Sequence, residues 1–125
     1  MIYFQIQQKN IPTKLKLSSA GKTEFILAKD VEYCKAAGDY VEIFMLDKQL
    51  SLFSGTLKSI EEQLPSTFIK VHRSFIVNLE QVVSITSNKQ GSNSGALLIL
   101  HTGAEIPVSR RILPKIREVV KGSAP

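Results

Sequence analysis

The chain has 125 residues, of which 43% are hydrophobic, and its 16 Lys and Arg against 11 Asp and Glu give a net charge of +5 at pH 7. This length suits a single domain with one ordinary core and excludes a second domain. The sequence has neither a run of roughly 18 apolar residues that could cross a membrane nor a secretory signal, so we expect a cytoplasmic protein without a membrane partner.

The first half of the chain predicts antiparallel β-strands joined by tight turns. Apolar and polar residues alternate from residue 14 to 17, and turn residues then precede another apolar run, which is typical of a β-hairpin. Gly38 and Asp39 separate two further strand candidates and allow a second tight reversal. The candidate strands are residues 14–17, 25–28, 31–36, 40–46 and 50–53.

One short amphipathic helix is predicted next, over residues 56–64. Leucine and isoleucine recur on one of its faces with helical spacing, while glutamates point to solvent. Ser54 is the predicted N-terminal cap, because a serine hydroxyl can accept a hydrogen bond from a free N–H of the first turn. Pro65 is the predicted end, since proline cannot continue a helix.

The second half returns to strand patterns and ends in a second helix. A loop rich in glycine and serine is predicted at residues 91–95, and Thr102 and Gly103 are predicted to turn the last hairpin. The terminal helix should begin near Pro114, because a proline ring would clash inside a helix that had already started. The candidate strands are residues 68–71, 82–85, 97–100 and 105–108.

These elements together predict a mainly β fold with minor α content, built from antiparallel sheets with one or two short helices. The domain is predicted to span residues 14–121, with residues 122–125 as a frayed tail. Residues 1–13 are an N-terminal extension or the remnant of a linker, although their alternating apolar residues would also suit an extra strand.

Residue types that carry out catalysis or bind metals are scarce. His72 and His101 are the two histidines, and neither has a Cys, Asp or Glu at metal-ligand spacing. The chain has no glycine-rich phosphate loop and no nucleophile elbow. Cys34 lies in an apolar-rich run, which is typical of a buried, inert thiol. We therefore expect no enzymatic activity, no cofactor and no metal site.

The most informative stretch is FIKVHRSFIVN, in which apolar residues bracket His72, Arg73 and Ser74. A basic, hydroxyl-bearing turn on a rigid sheet suits DNA, because an arginine can bind guanine N7 and O6 while a serine meets phosphate. Asn78 at the end of this stretch is better explained as a structural polar group that closes a turn. A second basic cluster, with four cations and no acid, lies within residues 108–117.

Three segments resemble the LytTR DNA-binding domains of bacterial transcription regulators. They read DVEYCKAAGDYVEIFM, VHRSFIVN and TGAEIPVSRRILPKI, in this order along the chain. The resemblance covers residues 14–120. It implies an elongated fold of small antiparallel β-sheets with little helix, in which loops enter successive major grooves and no recognition helix is used.

The same resemblance implies that Asp39, Arg73 and Arg110 contact bases. Two features depart from the usual pattern of the family. Asp39 is an anion that could accept a hydrogen bond from cytosine N4 but would repel phosphate. Pro114 replaces a more usual helix-forming residue, which could change the orientation of Arg110 and Arg111.

Charge and location add a set of predicted contacts to the phosphate backbone. These residues carry either a cation or a hydroxyl group close to the base-contacting positions, or a cation in a loop. They are Lys35, Lys70, Ser74, Lys89, Ser109 and Arg111. Lys89 also fits a simple solvated loop cation.

We therefore expect the output domain of a bacterial response regulator of the two-component type, which binds specific sequences in double-stranded DNA. Binding by two copies on repeated half-sites is expected. A receiver domain or sensor outside this chain would supply the signal, unless the chain is a stand-alone regulator. The alternative is a protein-protein interaction module, whose exposed loops regulate another transcription factor without touching DNA.

Overall fold

The structure is a computed structural model that describes residues 13–88 and 95–123. Three segments lie outside the described residues: residues 1–12 of the N-terminal extension, residues 89–94, which include most of the predicted loop, and residues 124–125 of the predicted tail. The described part forms β1 (Lys14–Ser19), β2 (Lys22–Leu27), β3 (Val31–Ala37), β4 (Tyr40–Met45), β5 (Leu50–Ser54), α1 (Leu57–Glu61), β6 (Phe68–His72), β7 (Phe75–Asn78), β8 (Val82–Asn88), β9 (Gly95–Leu100), β10 (Glu105–Val108) and α2 (Leu113–Ser123). Short 3-10 helices at Ala28–Asp30 and Leu79–Gln81 precede β3 and β8.

These strands form three antiparallel sheets, which confirms the prediction of a mainly β fold. The hairpin β1–β2 is a sheet by itself, β10-β9-β8 is a second sheet, and the third has the order β5-β4-β3-β7-β6. The first hairpin turns at Ala20 and Gly21, whose φ angles are 50° and 78°. Two positive φ values in a two-residue loop match the twist of the flanking strands, so the predicted reversal is confirmed.

The five-stranded sheet has apolar side chains on both faces, because consecutive strand residues point in opposite directions. Ile76 and Val77 are neighbours in β7 and belong to different cores. The first core lies towards the β1–β2 hairpin and α1 and contains Leu15, Leu17, Ala28, Val31, Cys34, Val41, Ile43, Leu57, Ile60, Phe68 and Ile76. The second core lies towards the three-stranded sheet and α2 and contains Val71, Val77, Ala96, Leu98, Leu100, Ile106, Val108 and Ile116.

Helix α1 differs from its prediction at both ends. Its N-cap is Thr56, not Ser54, because Ser54 is still the last residue of β5. The Thr56 hydroxyl accepts a hydrogen bond from the Ser59 N–H at 3.1 Å, and the Thr56 N–H donates to Ser59 Oγ at 2.9 Å. This reciprocal capping box satisfies two backbone donors at once. The helix ends at Glu61, three residues before the predicted end at Leu64.

The terminal helix α2 confirms the predicted start near Pro114, which is the second residue of Leu113–Ser123. A proline is tolerated there because the first N–H groups of a helix have no partner within the helix. Ile116 is fully buried in the second core and holds α2 on the domain. Among the described residues no helix is long and apolar enough to span a membrane.

Two buried polar side chains connect parts of the fold. Glu32 is 3% exposed and lies at a register shift of β3, where a β-bulge redirects side chains. Its carboxylate accepts hydrogen bonds from the hydroxyl group and the N–H of Thr102, which joins β3 to the β9–β10 turn. Asn78 donates from Nδ2 to the Val31 carbonyl at 3.0 Å and accepts from the Glu80 N–H at 3.1 Å. Its predicted structural role is thus confirmed.

Cys34 is fully buried in the first core, as its apolar surroundings in the sequence predicted. Burial raises the pKa of the Cys34 thiol to about 12. A thiol reacts as a nucleophile only in its ionised form, so this side chain is inert at neutral pH while the protein is folded.

Candidate nucleic-acid interface

Two turns that carry predicted DNA contacts lie at the same end of the five-stranded sheet. Strands β3 and β7 are antiparallel, with Lys35 opposite Phe75, so the end of β3 lies beside the start of β7. The Ala36 N–H donates to the Ser74 carbonyl at 2.9 Å, one step further towards the turns. The β3–β4 turn with Asp39 and the β6–β7 turn with Arg73 are therefore neighbours.

The segment that follows β10 lies at the same place and is joined to β6 by a backbone hydrogen bond. The Ser109 N–H donates to the carbonyl of Val71 in β6 at 2.9 Å. The Ser109 carbonyl in turn accepts from Ile112 and Leu113, both at 3.1 Å, so the chain coils directly into α2. This arrangement brings residues 109–112 alongside the β6–β7 turn, although residues 75–108 separate the two segments in the sequence.

An open groove of about 460 Å³ lies between these two segments. The cations along it come from both of them, and no Asp or Glu is among the described residues that line it. The lining residues are Lys70, His72, Arg73, Ser109, Arg110, Arg111 and Ile112. We call this set the basic groove. Such a concentration of one sign of charge attracts polyanions.

Five of the predicted DNA contacts thus meet in one place. Arg73, Arg110, Arg111 and Lys70 are exposed at the basic groove, and Ser109 is half-buried there. Two arginines predicted to read bases therefore project from different segments of the chain into the same groove. An arginine fork can bind the N7 and O6 atoms of guanine or the oxygens of phosphate.

The other predicted contacts do not line the basic groove: they lie in the two neighbouring turns, on β3 or outside the described residues. Ser74 is in the β6–β7 turn, and exposed Lys35 has its ammonium nitrogen 6.0 Å from the centre of the Phe75 ring. Lys35 also stands opposite Glu42 in the β3–β4 ladder. Asp39 is exposed in the neighbouring turn but does not line the groove. Lys89 lies outside the described residues.

His72 has a more specific place than the sequence indicated. Its Nδ1 accepts a hydrogen bond from the Ser74 N–H at 3.1 Å, across the turn that carries Arg73. Its ring meets the Phe75 ring in an edge arrangement, with 5.7 Å between the ring centres. The sequence signal was only a histidine two residues before a serine in a tight turn, which does not reveal the acceptor role.

Two acidic residues of the five-stranded sheet, Glu32 and Glu42, lie near Tyr33. Burial raises the pKa of the Tyr33 hydroxyl, and the nearby carboxylates of Glu32 and Glu42 raise it further. No group of three or more His, Cys, Asp or Glu side chains in the described parts of the chain could hold a metal ion. Among the described residues, the basic groove is a site where four cations, Lys70, Arg73, Arg110 and Arg111, line one cavity.

The chain is similar in sequence to a known family of DNA-binding domains. A model of the LytTr DNA-binding domain family matches residues 21–121. The chain is 36% identical over 102 residues to the sensory transduction protein LytT of Enterococcus faecalis, covering 74% of this chain and 41% of that protein. It is 35% identical over 108 residues to LytT of Bacillus subtilis, covering 86% of this chain and 43% of that protein. The chain thus spans less than half the length of these curated relatives.

A solved structure has the same fold. The LytTr DNA-binding domain of a response regulator from Bacillus cereus superimposes with a TM-score of 0.69 and 24% sequence identity. The alignment covers 86% of this chain and 96% of that domain. The family match, the relatives and the fold support DNA binding by a transcription regulator and confirm the resemblance seen in the three sequence segments. The chain belongs to the LytTr DNA-binding domain family.

Proposed function

We propose that this chain binds specific sequences in double-stranded DNA, with Arg73 and Arg110 contacting base edges in the major groove from two loops. The observation that carries the proposal is the basic groove, which both exposed arginines line and whose described walls contain no carboxylate. Base edges specify a sequence only when the side chains that read them are held in a fixed register. The bond from the Ser109 N–H to the Val71 carbonyl supports such a register, because it joins the two segments.

The residues around the two arginines would bind the DNA backbone. Lys70, Ser109 and Arg111 line the basic groove, and Ser74 lies in the same turn as Arg73. Lys35 and Lys89 complete this proposed set of phosphate contacts. Contacts of this kind fix the position of a protein on the duplex without reading its sequence.

Asp39 would have a different role from these cations. It lies in the β3–β4 turn, at the same end of the sheet, but its negative charge is unfavourable next to phosphate. A carboxylate can accept a hydrogen bond from the N4 amino group of cytosine in the major groove. We assign Asp39 to such a base contact, next to those of Arg73 and Arg110.

The rest of the regulator would lie outside this domain. The relatives are sensory transduction and response regulatory proteins, and this chain matches 41% to 43% of the LytT proteins of Enterococcus faecalis and Bacillus subtilis. A receiver domain or a sensor partner would therefore control the DNA-binding domain, and two copies would bind repeated half-sites. No catalytic role and no cofactor are part of the proposal.

Selection of bound sites from a pool of random duplexes tests binding and specificity together. The proposal predicts that one short motif is enriched, in two copies with a constant spacing. Binding to random duplex should also weaken steeply as salt is added. Undetectable duplex binding at about 50 mM salt would overturn the proposal and favour the protein-protein interaction module.

A further inference from the structure

We propose that His72 is a positioning residue for sequence recognition, because its Nδ1 fixes the turn that presents Arg73. The inference rests on the proposed function, since it concerns how Arg73 is held for base contact. His72 lines the basic groove, but the observed bond of its imidazole goes to the protein backbone. Its contribution is therefore to the conformation of the turn.

The turn between β6 and β7 consists of Arg73 and Ser74, and Ser74 is held on both sides. Its N–H donates to His72 Nδ1 at 3.1 Å, while its carbonyl accepts from the Ala36 N–H at 2.9 Å. With both polar backbone groups of Ser74 bonded, the peptide that follows Arg73 has a defined orientation. A side-chain acceptor that bonds a backbone N–H two residues later is a common way to stabilise a turn.

The imidazole ring is itself held in place by an aromatic neighbour. It packs edge-on against Phe75, at 5.7 Å between ring centres and an angle of 64°. Phe75 packs against the second core and lies 6.2 Å from Tyr33, measured between ring centres. Packing on the buried side of the sheet thus orients the His72 ring, and the hydrogen bond to this ring fixes the conformation of the turn.

The chemistry of this position explains why a histidine stands among cations. An imidazole that accepts at Nδ1 is neutral and carries its proton on Nε2. Lysine and arginine have donors only, so neither could accept the Ser74 N–H. Around His72 the groove presents Lys70, Arg73, Arg110 and Arg111, and no carboxylate lines its described walls. The acceptor at this place is therefore supplied by a residue that adds no negative charge to a DNA-binding surface.

Three substitutions of His72 distinguish the contribution of its hydrogen-bond acceptor from that of its aromatic ring. In His72→Asn, the Oδ1 atom is two bonds from Cβ, as Nδ1 is in histidine, and it can accept the same N–H. In His72→Gln, the amide oxygen is one bond further away, and His72→Ala has no acceptor. The exposed His101 of the β9–β10 turn provides a matched control, His101→Ala.

The measurement is the ratio of affinities for the selected duplex and for random duplex, together with the thermal unfolding midpoint of each variant. We expect His72→Ala and His72→Gln to lower this ratio by about fivefold or more, which corresponds to loss of one well-made base contact. His72→Asn should retain most of the ratio, and His101→Ala should retain all of it. If His72→Ala does not fold, the Asn and Gln variants decide between the outcomes.

Failure of this inference differs from failure of the proposed function. A wild-type chain that binds selected and random duplexes equally would overturn the proposed function, and this inference with it. A wild-type chain that discriminates, with Ala and Gln variants that discriminate equally well, would overturn the role of His72 alone. Equal losses in the Asn, Gln and Ala variants would also overturn it, because the ring and not the acceptor would then be needed.

Discussion

The N–H of Ser109 donates a hydrogen bond of 2.9 Å to the carbonyl of Val71. Val71 is fully buried in the second core, so the segment after β10 is attached to one of the least exposed points of the domain. Arg73 lies two residues after Val71, in the β6–β7 turn, and Arg110 directly follows Ser109. This backbone bond therefore joins the two segments that carry the arginines proposed to read DNA.

Replacing Arg73 by alanine should weaken binding to the selected site and relax its sequence preference. The loss of one bidentate base contact costs about 1–3 kcal/mol, and it should affect discrimination at a single base pair. Affinities of the variant for all single-base changes of the selected site would measure this. Lys70→Ala is the control from the same groove, because a lost phosphate contact should weaken all sequences similarly. The assignment of Arg73 is wrong if its alanine variant keeps both affinity and preference.

Added salt should weaken DNA binding, and the steepness of this loss reports how many phosphates are contacted by lysine and arginine. The four cations of the proposed phosphate set predict that the logarithm of affinity falls against the logarithm of salt concentration with a slope of roughly −3.6 for one bound copy, because serine hydroxyl groups release no counterions. Lys70→Ala should make this slope shallower by about 1, since one fewer counterion is released. Titrations of a fluorescent duplex at several salt concentrations measure both values. A slope near zero would contradict a binding surface built from lysine and arginine.

Asp39→Asn should change specificity and non-specific affinity in opposite directions. Removing the negative charge should strengthen binding to random duplex, because a carboxylate next to phosphate is repelled. An asparagine can donate as well as accept, so the preference for cytosine at the contacted pair should relax. The backbone of the turn should stay in place, since the Asp39 carbonyl accepts from the Gly55 N–H at 3.1 Å. Unchanged affinity for both duplexes would show that Asp39 lies outside the DNA contact.

Thr102→Val should destabilise the fold without acting on the basic groove. The substitution keeps the shape of the side chain but removes the hydroxyl that donates to the buried carboxylate of Glu32. Leaving a buried acceptor without this donor costs about 1–3 kcal/mol in the free energy of unfolding. Urea denaturation measures the change, with Thr86→Val on the exposed surface of β8 as the control. Equal midpoints for the two variants would contradict a structural role for the Glu32 contact.

Local elements of the fold could be predicted from the sequence because their signals act over a few residues. The reversal at Gly21 and the alternation of β1 are examples. The strand order of the five-stranded sheet could not be predicted. Its pairing of β3 with β7 joins Cys34 to Ile76, and no local pattern specifies which distant strands meet. The cap of α1 was misplaced because Ser54 and Thr56 are both suitable capping residues by type.

Five residues that line the basic groove were predicted DNA contacts, but the groove itself could not be predicted. The motif around Arg73 and the Ser-Arg-Arg segment around Arg110 each indicated DNA contacts by charge and by resemblance. That the two segments form one groove follows from the bond between Ser109 and Val71, which no spacing in the sequence indicates. The role of His72 depends on which atom faces the Ser74 N–H, and this is a property of the folded turn.

Methylation interference tests whether Arg73 and Arg110 read guanines, because a methyl group on guanine N7 blocks the atom that an arginine fork binds. The selected duplex is partially methylated, and bound molecules are separated from free ones before the modified guanines are mapped. The account predicts that methylation at two guanines of each half-site prevents binding by the wild-type chain. Arg73→Ala should become insensitive at one of these guanines and Arg110→Ala at the other. If both variants keep the wild-type interference pattern, the two arginines do not read the bases and the account is wrong.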